Sequence, residues 1–184
     1  MADDLEPQKK LEIYKLVLSR YRDLISEKET RSVSEIRQRV SPYTDWVRAM
    51  RERMLSDIAP YDRRRHFQAA AERAMEYVRG IRTCEFAFTF WMDFGEMDSL
   101  RIGTAMDKAI LLAALIRALE SEDVRVLVTK AGRPYVRFTD GAVSFLFVPE
   151  SGSLLMGEDA MKTFANDPVA YSFSDLAYEN YEDQ

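Results

Sequence analysis

Residues Ala105–Leu119, AMDKAILLAALIRAL, constrain the fold more than any other part of this chain. Only Asp107, Lys108 and Arg117 interrupt an otherwise apolar run. A helix that is apolar on nearly every side must be buried on nearly every side, so the remaining elements have to be built around it. Gly103 supplies a turn before it, and Thr104 with Asp107 has the spacing of a capping box. The start of such a helix gathers free N–H donors and partial positive charge, the place where a fold ionises a nucleophilic thiol. Here that slot holds Ala105, followed by Met106.

After Glu120 the pattern changes from helical to extended. Val124–Thr129, Tyr135–Phe138 and Val143–Val148 are three short β-rich runs, separated by the turns Ala131-Gly132 and Asp140-Gly141. A buried helix followed by an antiparallel meander predicts an α+β fold. Upstream, Leu11, Tyr14, Leu18, Tyr21 and Ile25 recur at three- and four-residue steps, as one helix face does, before the polar stretch 27–34. A second helix is expected after Ser41-Pro42, with Trp46, Val47, Met50, Met54 and Ile58 on one face and Pro60 as its end. Asp62 caps a third, whose stripe is Phe67, Ala70, Ala71, Ala74, Tyr77, Val78 and Ile81. Residues 83–100 read as an aromatic connection with one helical turn near Glu96, and everything from Glu150 as an acidic loop-like tail. The expected division is an N-terminal helical region, 1–60, and a main domain, 61–184, or else one compact unit overall.

Charge and cysteine content exclude several functions. A net charge of −5 gives no reason to expect nucleic acid, and no apolar run is long enough for a bilayer. The charge is uneven, with 18 of the 26 basic residues before residue 83. The opening MADDLEPQKK has no signal-peptide pattern, and a lone cysteine suits a reducing compartment, so the expected location is the cytoplasm. One cysteine and one histidine are too few soft ligands for an ordinary zinc site, and no cofactor is expected.

The chain resembles the transglutaminase-like branch of the papain-like cysteine enzymes. That family carries R-x-G-D-C-x-D-K-A followed by a leucine-rich helix and R-A-L. Here Arg101, Gly103, Asp107, Lys108 and Ala109 stand in that register, then Leu111, Leu112, Leu115 and Arg117-Ala118-Leu119. The family's H-A-W-V and L-D-P strands are matched by Arg133-Pro134-Tyr135-Val136 and Phe147-Val148-Pro149, and Tyr77-Val78-Arg79 and Trp91 fit the approach to the core. The resemblance covers about residues 65–150. It implies a transglutaminase-like core and a site made of thiolate, imidazole and orienting acid. Carried over by residue, those positions are Ala105, Arg133 and Val148. Alanine has no reactive atom, arginine holds its proton at neutral pH, and valine orients nothing.

Other candidates are weighed against plainer roles. His66 and Cys84 as a dyad would reverse the family's order; a surface histidine and an inert thiol are the simpler reading. Thr104 is explained by capping. Arg63, Arg64 and Arg65 suit a phosphate at a helix N-terminus or merely an exposed first turn. Trp91 with Phe86, Phe88, Phe90 and Phe94 lines a groove or fills core. The tail from Tyr171 to Gln184 is either a docking peptide or a segment tied down by its aromatics.

The expectation is a catalytically inactive transglutaminase-like protein that binds a protein or peptide in the degenerate cleft. That cleft would comprise Ala105, Met106, Arg133, Tyr135, Val148 and Trp91, with Arg133 suited to a carboxylate. The alternatives are an enzyme using Asp93, Glu96 or Asp98, and a scaffold whose cleft is filled by Met106 and Tyr135.

Overall fold

The structure, a computed structural model, describes residues 7–28, 32–86 and 90–181. Phe88 and the last three residues of the acidic tail lie outside the described residues. The chain divides into two compact units, Met1–Arg31 with Phe86–Trp91, and Ser32–Glu85 with Met92–Gln184. The first unit contains α1 (Pro7–Lys28), a helix of 22 residues. Its apolar row Leu11, Tyr14, Leu18 and Tyr21 is exposed.

The second unit is assembled around α6 (Ala105–Ala118), in which every residue from Asp107 to Ala118 is buried. Its start is built as the sequence predicts: Thr104 caps Asp107 N–H, and the Asp107 carboxylate returns to Thr104 N at 3.1 Å. Around α6 stand α2 (Val33–Arg39), α3 (Asp45–Met54) and α4 (Arg63–Arg79). Asp62 caps α4 as expected. Helix α3 starts at Thr44 rather than at Ser41-Pro42, because the Thr44 hydroxyl takes the Val47 N–H. Helix α2 replaces part of the expected polar interruption; Ser32 and Glu35 close a full capping box at its start.

Helix α5 (Phe94–Leu100) is the helical turn expected near Glu96. It leads into a two-residue parallel ladder between β1 (Arg82–Thr83) and β2 (Ile102–Gly103). A Cβ at Gly103 would lie 2.8 Å from the buried Met97 methyl, so a larger residue there would make that side chain shift.

The meander is present as β3 (Arg125–Thr129), β4 (Pro134–Asp140) and β5 (Val143–Val148), all antiparallel. The region after Glu150 is not loop-like. It forms β6 (Ser153–Met156), α7 (Gly157–Lys162), β7 (Val169–Phe173) and β8 (Tyr178–Asn180). The result is one six-stranded sheet in the order β6-β5-β4-β3-β7-β8. Strand β7 pairs with β3 because the meander alone leaves that edge open, and unpaired backbone groups demand partners. A bidentate ion pair fixes the tail further: Arg117 Nε to Asp175 Oδ1 at 2.6 Å and Nη2 to Oδ2 at 3.0 Å.

Strand alternation gives the sheet two faces. Val126, Val136, Phe138 and Phe147 are buried on the helix side, where Phe67 of α4 meets Phe138 edge-on and the Arg79 guanidinium lies over Phe147. Leu127, Tyr135 and Leu146 form a second cluster on the opposite face, covered by Val148, Leu155, Ala160, Phe164 and Val169.

Candidate functional site

The start of α6 is where this architecture concentrates its polar chemistry. Asp107 and Lys108 are only 2% and 3% exposed. The Asp107 carboxylate accepts from the Thr104 hydroxyl at 2.7 Å as well as from its backbone. Burial pushes its pKa above the ordinary carboxylate range, and the Thr104 hydrogen bonds partly offset this. Lys108 Nζ donates to Thr83 Oγ1 at 2.8 Å, and burial lowers its pKa. The Thr83 hydroxyl in turn donates to the Glu150 carbonyl at 3.2 Å. Cys84 N–H donates to the Gly103 carbonyl at 3.0 Å, and Arg79 Nε to the Gly152 carbonyl at 2.7 Å. These bonds bring the start of α6, strand β1 and the chain just after β5 to one end of the domain.

Ala105 occupies the first position of α6 and Met106 the second, both half-buried. Val148 ends β5 at the same end of the domain, but its side chain packs into the outer-face cluster, away from α6. Tyr135 is in that cluster too, edge-on to Phe164 at 5.2 Å. Tyr135 and Met106 therefore lie on opposite sides of the sheet and do not fill one space. Arg133 is exposed on the β3–β4 turn, its N–H on Thr129 Oγ1 at 3.1 Å. Beside it, Asp167 is held below its ordinary pKa mainly by the Thr129 hydroxyl, with Arg133 adding attraction. Trp91 belongs to the first unit. The helix-facing side chains at these strand ends are, by alternation, Pro134 and Pro149, the second of them buried.

The acids named as alternatives are engaged. Glu96 accepts from Asp93 N–H at 2.8 Å, Asp93 lies 3.9 Å from Arg39, and Asp98 accepts from Tyr77 and Arg101. Tyr77 is the centre of a cluster the sequence does not announce. Arg101 and Arg53 lie over its ring at 5.0 and 5.9 Å, and Trp46 is 6.3 Å away. Burial, and then the Asp98 hydrogen bond, push its phenol pKa up. The helical spacing of Tyr77 marks only a buried face; its partners come from two other segments, α3 and α5 with its C-cap.

This arrangement of helices and sheet is shared with two solved structures. Legionella pneumophila LapG in its EGTA-treated form aligns with a TM-score of 0.51 at 12% identity, over 84% of this chain and 88% of that one. The calcium-bound form of LapG aligns with a TM-score of 0.54 at 12% identity, over 83% and 89%. The fold is transglutaminase-like. No protein-family model matches the sequence, and no curated protein matches it either. Among the described residues, no group of three or more His, Cys, Asp or Glu is placed to hold a metal ion. No described helix is long and apolar enough to cross a membrane.

Proposed function

We propose that this chain is a transglutaminase-like domain without acyl-transfer or hydrolytic chemistry, and that it acts by binding a protein or peptide. The observation that carries the reading is the separation of its two possible partners in catalysis. Cys84 is bonded to Gly103, before the start of α6. His66 lies in the first turn of α4, where the neighbouring Tyr61 hydroxyl donates to the Leu119 carbonyl at the far end of α6. A helix of 14 residues spans ~20 Å, against the ~3 Å that a nucleophile and its base require. His66 Nδ1 also accepts from Asp62 N–H at 3.0 Å. The slot at the head of α6 is Ala105, and the helix-facing ends of β4 and β5 carry prolines.

The test is an assay of amide hydrolysis and amine incorporation on purified wild-type, Cys84→Ser and His66→Ala proteins. No turnover above the blank is expected in any of them. Wild-type turnover that disappears in either variant overturns the reading.

A second reading, a scaffold that docks through its N-terminal helix, has its own support. Leu11 and Tyr14 of α1 are 53% and 63% exposed, and Leu16, Val17 and Leu24 are exposed with them. A row at three- and four-residue steps is the seam an amphipathic partner helix takes. If a second copy supplies that helix, sedimentation gives twice the 21.3 kDa chain mass for the wild type and the single mass for a Leu11→Glu, Leu18→Glu variant. One chain mass for both excludes self-docking.

A further inference from the structure

The outer face of the sheet holds a cavity of about 740 Å3. Its walls are Leu127, Leu146, Ala160, Phe164 and Val169, and Arg137 and Ser144 stand among them. Tyr181 lines another part of it, with its hydroxyl on Glu179 at 2.6 Å and beside Ser172 at 3.0 Å. A volume in the ~300–1,000 Å3 range suits one small organic molecule, and a mostly apolar lining with few polar groups is the usual make-up of such a site.

Arg137 decides what kind of molecule. It is exposed at the middle of β4 and has no hydrogen-bond or ion-pair partner among the described residues. Its cross-strand neighbours are Leu146 on β5 and Arg125 on β3. Two guanidinium side chains directly opposite one another, with no acid between them, repel. Arg125 Nη1 is turned to the carbonyls of Glu122 and Val124 and to the Ser174 hydroxyl, at 3.2, 3.0 and 3.1 Å. Asp123 and Glu179 accept from hydroxyls: Asp123 from Ser121 and Thr139, Glu179 from Tyr181. Neither pairs with Arg137. One free guanidinium at the edge of an apolar space calls for a ligand with one negative charge and an apolar body.

We propose that this cavity binds a medium-chain alkyl carboxylate, its chain against Leu127, Leu146, Phe164 and Val169 and its carboxylate on Arg137. The planar guanidinium matches a carboxylate in a two-bond fork. The assignment is independent of whether the α6 end binds a partner, and it uses no residue of that end.

Calorimetric titration of the full chain with sodium octanoate, octanol and octyl phosphate tests it. Saturable one-to-one binding of octanoate is expected, with octanol weaker by about tenfold, the size of one hydrogen bond to a charged group. Arg137→Gln should bring octanoate down to the level of octanol and leave octanol unchanged. Ala160→Trp should abolish both, and Val143→Trp, at an exposed lining position, serves if the first variant unfolds. Absence of saturable binding, or equal octanoate affinity in wild type and Arg137→Gln, overturns the site. Octyl phosphate bound tenfold tighter than octanoate overturns the carboxylate assignment.

Discussion

The two faces of the six-stranded sheet are made from alternate residues of the same strands, yet they are covered very differently. Val126, Val136, Phe138 and Phe147 lie against α6 and α4, helices of 14 and 17 residues. Leu127, Tyr135 and Leu146 are covered by a six-residue helix, α7, and by strand neighbours. Two long helices can close a sheet face; a helix of under two turns cannot. The helix face is therefore closed by long helices, and the outer face keeps an open volume beside its packed cluster. The difference teaches where function has room. In this chain an unfilled space lies on the side of the sheet away from α6.

The largest effect that separates the faces is a deletion on the helix side. Phe138→Ala removes a ring packed against Phe67 and Phe145, and is expected to cost ~3–5 kcal/mol in urea unfolding. The outer-face counterpart, Phe164→Ala, removes a half-buried ring that already borders the cavity, and should cost less than ~2 kcal/mol, because the lost contacts are fewer. Equal losses would break the comparison.

The legibility of the sequence follows the same line. Helix α6, the Thr104–Asp107 box, the Asp62 cap and strands β3 to β5 were all readable, because periodicity and capping are local signals carried by neighbouring residues. Helix α2 departs from the expected polar break; the capping-box spacing of Ser32 and Glu35 is the signal for it, outweighed in the sequence by the charges around it. Strands β1 and β2 pair only two residues each across a separation of about twenty positions, and no local pattern announces that. Strand β7, VAYSF, places Ser172 inside and lacks clean alternation, so its pairing with β3 is decided by the open sheet edge. The candidate site suffers from the two-residue period of strands. Matching Arg133 and Val148 to a family motif is a matter of one residue, and one residue decides which face a side chain meets. The cavity at Arg137 was invisible because its walls come from four strands and α7.

A smaller effect sharpens the comparison from the helix side, where the packing contains a charge. Lys108 has the Thr83 hydroxyl as its hydrogen-bond partner, and Thr83 keeps the Glu150 carbonyl if the ammonium is removed. Lys108→Met is expected to leave stability at pH 7 unchanged or raised by about 1 kcal/mol, as when buried charges are replaced by apolar groups of similar size. The sign of the pH dependence follows from the lowered pKa. Between the folded value and the ordinary lysine value of 10.5 the unfolded chain binds the proton more fully, so wild-type stability rises with pH through that window. The Met variant should lack this rise. A loss of stability at pH 7, or identical slopes above it, would show that the ammonium is well solvated in the folded state.

The smallest expected effect has the opposite sign and tests the outer face directly. Ala160 lines the cavity from α7, half-buried and beside the Leu127, Tyr135 and Leu146 cluster. Ala160→Leu adds three carbons to that space without displacing a neighbour, and both residues favour a helix. Each buried methylene contributes roughly 0.8 kcal/mol, but the space is partly open to water, so a gain of about 0.5–1 kcal/mol in urea unfolding is expected. Overpacking at a closed site costs about 1–3 kcal/mol instead. A gain from Ala160→Leu together with weakened octanoate binding would locate the ligand and the unfilled volume in the same place. A loss of stability would mean that α7 closes the outer face as tightly as α6 closes the inner one, and the contrast between the two faces would vanish.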